Sequence, residues 1–275
     1  VSDDGMNPDA AGPPAPSRVA AFFDLDNTLI RGASAFHLAV GLRARGLVRW
    51  RDLAEFAAAH TQYLLMGENA REIAHLRSRA LRLVAGRSVA EMTGIGEEVW
   101  DEVLSLRLFD GTHALLAEHL DAGHQVWIVS ASPIEIGGII AARLGATGAL
   151  GTVAEHVDGV YTGRLVGGML HGSAKAVAVH HLADREGLDL PDCYAYGDSA
   201  HDVALLGTVG HPVAINPDGR LRRHARRAGW PVREFRGRGR VATRHGVHAA
   251  SWAGAAWVLG VTARAVQRRL SGGPD

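Results

Sequence analysis

Apolar residues fall into short unbroken blocks, separated by longer stretches in which they recur every three or four positions. Val19 to Phe23 (VAAFF) is one block, and it ends on Asp24. Such a run predicts a buried strand carrying a carboxylate at its C-terminal tip. Gln125 to Val129 (QVWIV), ending at Ser130, and Cys193 to Tyr196 (CYAY), ending at Gly197-Asp198, predict two more core strands. Pro212 to Ile215 predicts another, Pro231 to Phe235 an edge strand, and weaker signals mark Ala149 to Ala154 and Val160 to Arg164. Helical spacing fills the intervals: Thr112 to Ala122 closed by Gly123, Pro133 to Leu144 closed by Gly145, Ser173 to Glu186, His201 to Leu206 and Asp218 to Ala228. Proline at a helix start and glycine just past its end are the expected boundary residues. Strands alternating with helices predict an α/β fold with a Rossmann-like, doubly wound parallel sheet.

One interval breaks the alternation. From Ser34 to about Leu106 the pattern is helical, with apolar residues three and four apart in Trp50 to Leu65 and Asn69 to Val84. That is too long for an ordinary crossover and predicts a helical cap inserted into the α/β core. The expected organisation is a flexible, Pro- and Ala-rich segment at 1–17, a core formed by 18–33 and 107–240, a cap at 34–106 and a C-terminal helical segment at 241–275.

Charge changes this picture little. The 29 basic and 29 acidic residues balance, so no global field favours nucleic acid or an anionic membrane. Arg220 to Arg244 holds ten arginines and one acid, Glu234, but only Trp230 and Phe235 interleave them; a solvated face is expected there. Val247 to Val266 is apolar, with Trp252 and Trp257, and is followed by Arg268 and Arg269. Packing on the core or on a partner is the first expectation for it, with membrane contact the alternative. The single cysteine, Cys193, excludes an internal disulfide and suits a reducing compartment such as the cytoplasm. The 15 histidines show no zinc-like pairing. Of the 29 basic residues one alone is lysine, Lys175, a position where a compact ammonium rather than a planar guanidinium is needed if its retention is not chance.

The candidate chemistry lies at the strand tips, where ligands bind in open parallel sheets. In Asp24-Leu25-Asp26-Asn27-Thr28 the first acid suits a carboxylate nucleophile at phosphorus and the second a general acid and base. Backbone amides just after Asp24, as far as Asn27, would cradle phosphoryl oxygens. An Asp-x-Asp at a strand end also caps turns, and also serves metal–nucleotide sites. In Gly197-Asp198-Ser199-Ala200-His201-Asp202, Asp198 suits a hard divalent cation, while Asp202 would hold Lys175 or a metal-bound water; helix capping is the plainer alternative. The Ser130 hydroxyl and the Ala131 amide suit a phosphoryl oxygen, and Lys175 supplies a fixed positive charge.

These four segments, in this order and at strand ends, resemble the four motifs of haloacid-dehalogenase-type phosphatases, and the helical insertion resembles the cap of their phosphoserine-phosphatase-like members. The likeness runs from about Arg18 to Phe235. It implies a phosphoaspartyl intermediate on Asp24, acid–base work by Asp26, and phosphate contacts from Ser130, Ala131, Asn27 and Lys175. It also implies Mg²⁺ held by Asp24, Asp198 and the Asp26 carbonyl oxygen, with Asp202 and Thr28 in support. The expected activity is hydrolysis of a small phosphorylated metabolite; phosphotransfer to another acceptor, or a weakly active regulatory role, are the alternatives. One departure stands out. Phosphoserine phosphatases place a glutamate shortly after the first motif to hold the substrate amine, and here Arg31 to Phe36 contains no acid. Phosphoserine is therefore not expected to be preferred, and Arg31 would either be solvated or meet another anionic group.

Overall fold

The computed structural model describes residues 17–49, 51, 81 and 84–236. The helices expected over Trp50 to Leu65 and Asn69 to Val84 lie almost wholly outside the described residues, as do the N-terminal segment and everything from 237 to 275. The chain divides into two compact units: Val1–Arg31, Arg107–Val153 and Gly168–Arg233 form one, and Gly32–Leu106, Ala154–Gly167 and Glu234–Asp275 the other.

The first unit is built on a six-stranded sheet. Its strands are β1 (Ala20–Asp24), β2 (Gln125–Pro133), β3 (Gly148–Thr152), β6 (Tyr194–Gly197), β7 (His211–Ile215) and β8 (Val232–Arg233). They are ordered β3-β2-β1-β6-β7-β8 and every neighbouring pair is parallel. This is the doubly wound order whose direction of winding reverses between β1 and β6, where ligand crevices form. All five β1 residues are buried, as a central strand covered on both faces requires. The flanking helices are α3 (Asp110–Asp121), α4 (Ile134–Leu144), α5 (Ser173–Glu186), the short α6 (Val203–Leu206) and α7 (Gly219–Ala228). Phe22, Val129, Val179, Leu182, Ala195, Leu205 and Leu221 are among the residues that meet in one buried cluster.

The second unit holds α1 (Ser34–Ala44), α2 (Val89–Val99) with a π-helical turn at Trp100–Leu104, and the antiparallel pair β4 (Ala154–Val157) and β5 (Val160–Leu165). The segment entering α2 runs along β5: Gly86 N–H donates to Tyr161 O, and Tyr161 N–H to Arg87 O, both at 2.9 Å.

Two strand expectations change. The signal at Ala149 to Ala154 resolves into two strands, because β3 stops at Thr152 and β4 begins at Ala154 with a different partner. The strand expected to stop at Val129 continues through Ser130 to Pro133, with an irregular register against β3 beyond Val129.

Under the sheet, α3 presents His119, 7% exposed, to an aromatic layer. Its Nε2 lies 2.8 Å from the Tyr196 hydroxyl and its Nδ1 2.9 Å from His124 Nδ1. Phe23 stacks on Tyr196 at 4.4 Å, and Tyr194 stacks on both His124 and His211. Burial, reinforced by His124, pushes His119 down to about 4. A histidine whose folded pKa lies below its unfolded value stabilises the fold fully above the unfolded value near 6.5, and that stability drains as pH falls toward 4. Urea unfolding of His119→Gln should therefore lose less stability between pH 7 and pH 5 than the parent, by up to about 1.4 kcal/mol per pH unit. Parallel pH profiles for the two proteins would contradict a neutral His119.

Candidate active site

Strand register sets the site. Asp24 pairs with Val129, so Ser130 stands one step beyond it; Phe23 pairs with Tyr196, so Gly197 and Asp198 flank Asp24 on the other side. Register across the three strands thus brings Ser130, Asp24 and Asp198 into one row, with Ser130 inside β2 and not at its end.

Lys175 enters this row from the first turn of α5. It is 4% exposed, and its Nζ donates to Asp24 Oδ1 at 2.6 Å and to Asp202 Oδ1 at 2.7 Å. Both acceptors are buried too. Each carboxylate is held by its second oxygen as well: Thr28 Oγ1 donates to Asp24 Oδ2 at 3.0 Å, and Ser199 donates to Asp202 Oδ2 from Oγ at 3.0 Å and from its backbone N–H at 3.2 Å. Gly197 makes this approach feasible, because a Cβ there would lie 2.6 Å from the Cβ of Asp202.

One ammonium faces several carboxylates, and the electrostatics follow. Lys175 is held protonated, raised by Asp202 and Asp24 against the cost of burial. Asp202 is held ionised below the usual carboxylate range, where the Lys175 charge and the hydrogen bonds from Lys175 and Ser199 outweigh its burial. Asp24 is pushed up to about 7: burial leads, Asp202 and Asp26 add repulsion, and Lys175 opposes them. The cluster is thus short of positive charge.

Asp24, Asp198 and Asp202 each offer an oxygen within 4.8 Å of the others, in the one group of metal-ligating character among the described residues. Hard oxygen donors and a deficit of cation fit a divalent ion of the Mg²⁺ type. Both oxygens of Asp24 and both of Asp202 already accept hydrogen bonds, so a cation held here would share those carboxylates with Lys175, Thr28 and Ser199.

The remaining expected residues are distributed as follows. Asp26 stands half-buried two residues past Asp24, with its backbone bridged to Ile30. Asn27 adopts a left-handed conformation, φ 62°, and its N–H donates to Ile30 O at 2.7 Å. That amide is therefore engaged within its own loop. Ser130, 2% exposed, accepts the Ser132 N–H on its Oγ at 3.1 Å. Arg31 is exposed with its guanidinium 5.1 Å above the Phe109 ring, which engages it through a cation–π contact.

Two further residues escaped the sequence reading. Thr152 Oγ1 donates to Ala131 O at 2.7 Å and accepts the Leu170 N–H at 3.1 Å, tying the Ser130 loop to the segment that leads into the Lys175 helix. Asp218 caps α7 by accepting the Arg220 and Leu221 N–H groups on Oδ1. Its Oδ2 accepts the Ala200 N–H at 3.2 Å, and its own N–H donates to Asp198 O at 2.8 Å. Asp218 thus anchors both ends of the Asp198–Ala200 turn. The only sequence signal for it is an Asp before a helix, which reads as a cap and says nothing of what it faces across the sheet.

Comparison with known proteins agrees with this geometry. The family model described as haloacid dehalogenase-like hydrolase matches residues 21–207. The chain is 52% identical over 260 residues to phosphoserine phosphatase SerB1 of Mycobacterium tuberculosis, covering 94% of this chain and 83% of that one. It is 30% identical to a histidinol-phosphatase of Neisseria meningitidis, covering 78% of this chain and 98% of the relative. A crystal structure of a protein with unknown function from Bordetella pertussis Tohama I superposes with a TM-score of 0.70 at 30% identity, covering 79% of this chain and 99% of that one. The chain belongs to the haloacid dehalogenase-like hydrolase family, on its phosphoserine-phosphatase-like branch. Its enzyme class is phosphoric monoester hydrolase.

Asp218→Ala removes a helix cap and the acceptor for Ala200 N–H together. The variant should lose about 1–2 kcal/mol in urea unfolding. Unchanged stability would mean that water replaces the carboxylate at no cost.

Proposed function

We propose that the protein hydrolyses a small phosphate monoester through a phosphoaspartyl intermediate on Asp24, with Mg²⁺ as its metal. The observation that carries this reading is the buried clasp of Lys175 between Asp24 and Asp202, which fixes the nucleophile's carboxylate at a strand tip beside Ser130 and Asp198.

The chemistry balances as two displacements. An Asp24 carboxylate oxygen attacks phosphorus, the ester P–O bond breaks, and Asp26 gives its proton to the departing alcohol. Water then attacks the same phosphorus, Asp26 takes the proton it sheds, and inorganic phosphate leaves as the Asp24 carboxylate is restored. Lys175 keeps its proton throughout and offsets charge on the phosphoryl oxygens as they swing through the equatorial plane. Thr28 steadies the second Asp24 oxygen, and the Ser130 hydroxyl with the Ala131 amide binds a phosphoryl oxygen. Asp24, Asp198 and the Asp26 carbonyl oxygen would hold the divalent cation, which would supply charge neutralisation between nucleophile and phosphate. Asp202 acts at one remove, by holding Lys175 and through it Asp24.

The ester's alcohol portion is less constrained. Relatives carry the names phosphoserine phosphatase and histidinol-phosphatase, and both describe phosphate esters of small alcohols bearing an amine. In this chain no acid lies in Arg31 to Phe36, and α1 starts at Ser34 with none in its first turn. That favours a substrate other than phosphoserine. A cytoplasmic setting suits a chain with a single cysteine, and no helix among the described residues is long and apolar enough to cross a membrane.

A panel of phosphomonoesters that includes an aryl phosphate, phosphoserine and histidinol phosphate, assayed with Mg²⁺ and with excess chelator, tests this directly. Turnover should need the metal, Asp24→Asn should fall at least about a thousandfold because an amide forms no acylphosphate, and phosphoserine should not give the highest kcat/KM. Equal rates with chelator, or an Asp24→Asn variant within tenfold of the parent, would sink the mechanism. Phosphoserine leading the panel would overturn only the substrate assignment.

A further inference from the structure

Two arginines of the first unit stand together without an acid. Arg31 and Arg107 are both exposed, and among the described residues no ion pair joins either guanidinium to a carboxylate. The backbone holds them side by side. Ile30 and Leu108 form an antiparallel bridge, Arg31 N–H donates to Arg107 O at 2.8 Å, and Phe109 N–H donates to Leu29 O at 2.9 Å. In that pattern Arg31 lies directly opposite Arg107, and Leu29 opposite Phe109, so all four side chains share one face. Leu29 and Phe109 form its buried part.

Like charges directly opposite one another on neighbouring strands are destabilising. No acid lies in Asn27 to Phe36 or in Leu104 to Phe109 to relieve them. An external oxyanion between the two guanidiniums would turn that repulsion into attraction. Arg31 is also fixed in advance. Its guanidinium lies 5.1 Å above the Phe109 ring, a contact that uses the planar face and leaves the N–H edges to an oxyanion. A side chain already ordered in this way loses less freedom on binding.

The loop after Asp24 brings the pair beside the residue assigned as general acid. The Leu29 and Ile30 N–H groups both donate to Leu25 O at 3.0 Å, and Asp26 is bridged to Ile30. The chain thus turns back on Asp26, and Arg31 is the next residue. Asp26 gives its proton to the departing alcohol, so that alcohol lies against Asp26 and its substituents extend past this loop. An ammonium on the alcohol would there face two guanidiniums, whereas a carboxylate or a phosphate would be held between them.

We propose that Arg31 and Arg107 select phosphate monoesters whose alcohol portion carries a second anionic group, a carboxylate or a phosphate. This rests on the hydrolase reading above and adds to it the class of ester. The two arginines bind and orient the ester and take no part in the displacements at phosphorus.

Matched esters test it, with the full chain and Mg²⁺: ethyl phosphate, 2-aminoethyl phosphate, carboxymethyl phosphate and ethane-1,2-diyl bisphosphate. At least one of the two anionic esters should exceed ethyl phosphate about tenfold or more in kcat/KM, chiefly through KM, and aminoethyl phosphate should fall below it. The carboxymethyl ester set against the bisphosphate shows which anion the pair takes. In Arg31→Gln/Arg107→Gln the ratio of anionic to ethyl ester should shrink to within about twofold, and in Arg31→Lys/Arg107→Lys part of it should survive. Either single glutamine variant should give an intermediate ratio, which serves if the double variant unfolds. A ratio between two esters is insensitive to a general loss of active protein. A parent that favours the ethyl or aminoethyl ester, or a glutamine variant that keeps the parental ratio, would overturn the proposal and leave the hydrolase reading standing. If no ester is turned over, the hydrolase reading falls, and calorimetric titration of the same four esters decides about the arginines. Tighter binding of an anionic ester that the glutamine changes abolish would support their role, and equal binding of all four would overturn it.

Discussion

A single buried ammonium organises this molecule's chemistry. Lys175 lies between Asp24 and Asp202 at 2.6 and 2.7 Å, with all three side chains removed from water. A charged lysine at such depth is tolerable only with its partners in place, and a carboxylate pair so close is tolerable only with the lysine between. The three groups therefore require one another, and each comes from a different part of the fold: the tip of β1, the first turn of α5 and the turn after β6. Any packing that misplaces one element leaves an uncompensated charge inside. The same balance leaves Asp24 short of cation, which is why the site fits a divalent ion beside the lysine.

The surrounding hydrogen bonds serve that arrangement. Thr28 and Ser199 occupy the carboxylate oxygens that Lys175 does not use. Thr152 and Asp218 work further out, one joining the Ser130 loop to the approach of α5, the other gripping the turn that carries Asp198. A site whose action is electrostatic gains most from groups already pointing the right way, since reorientation during reaction would consume the advantage. The sheet contributes the rigid part of that order, because parallel register alone puts Ser130, Asp24 and Asp198 in one row.

Much of this was legible in the residue string. The apolar runs that lead to Asp24, Ser130 and Gly197-Asp198 are strands because an unbroken apolar block suits only a position covered on both faces. The lone lysine pointed to its own position. What escaped notice depends on contacts made at a distance. Thr152 ends a weakly patterned edge strand, and nothing local shows that its hydroxyl faces Ala131 and Leu170. The left-handed backbone that directs the Asn27 N–H to Ile30 is set by the loop it closes. The signal near Ala149 to Ala154 merged two strands because a change of partner at Val153 leaves no mark in hydropathy.

The central claim is that the site needs a compact ammonium at position 175 and not merely a positive charge. The steady-state rate of aryl phosphate hydrolysis with saturating Mg²⁺, compared among the parent, Lys175→Arg and Lys175→Ala, addresses it most directly. A planar guanidinium cannot bridge two carboxylates across the space that an ammonium fills without displacing one of them. Both variants should therefore fall by about a hundredfold or more, and to within a few-fold of each other. A Lys175→Arg enzyme that turns over at nearly the parental rate would contradict the account.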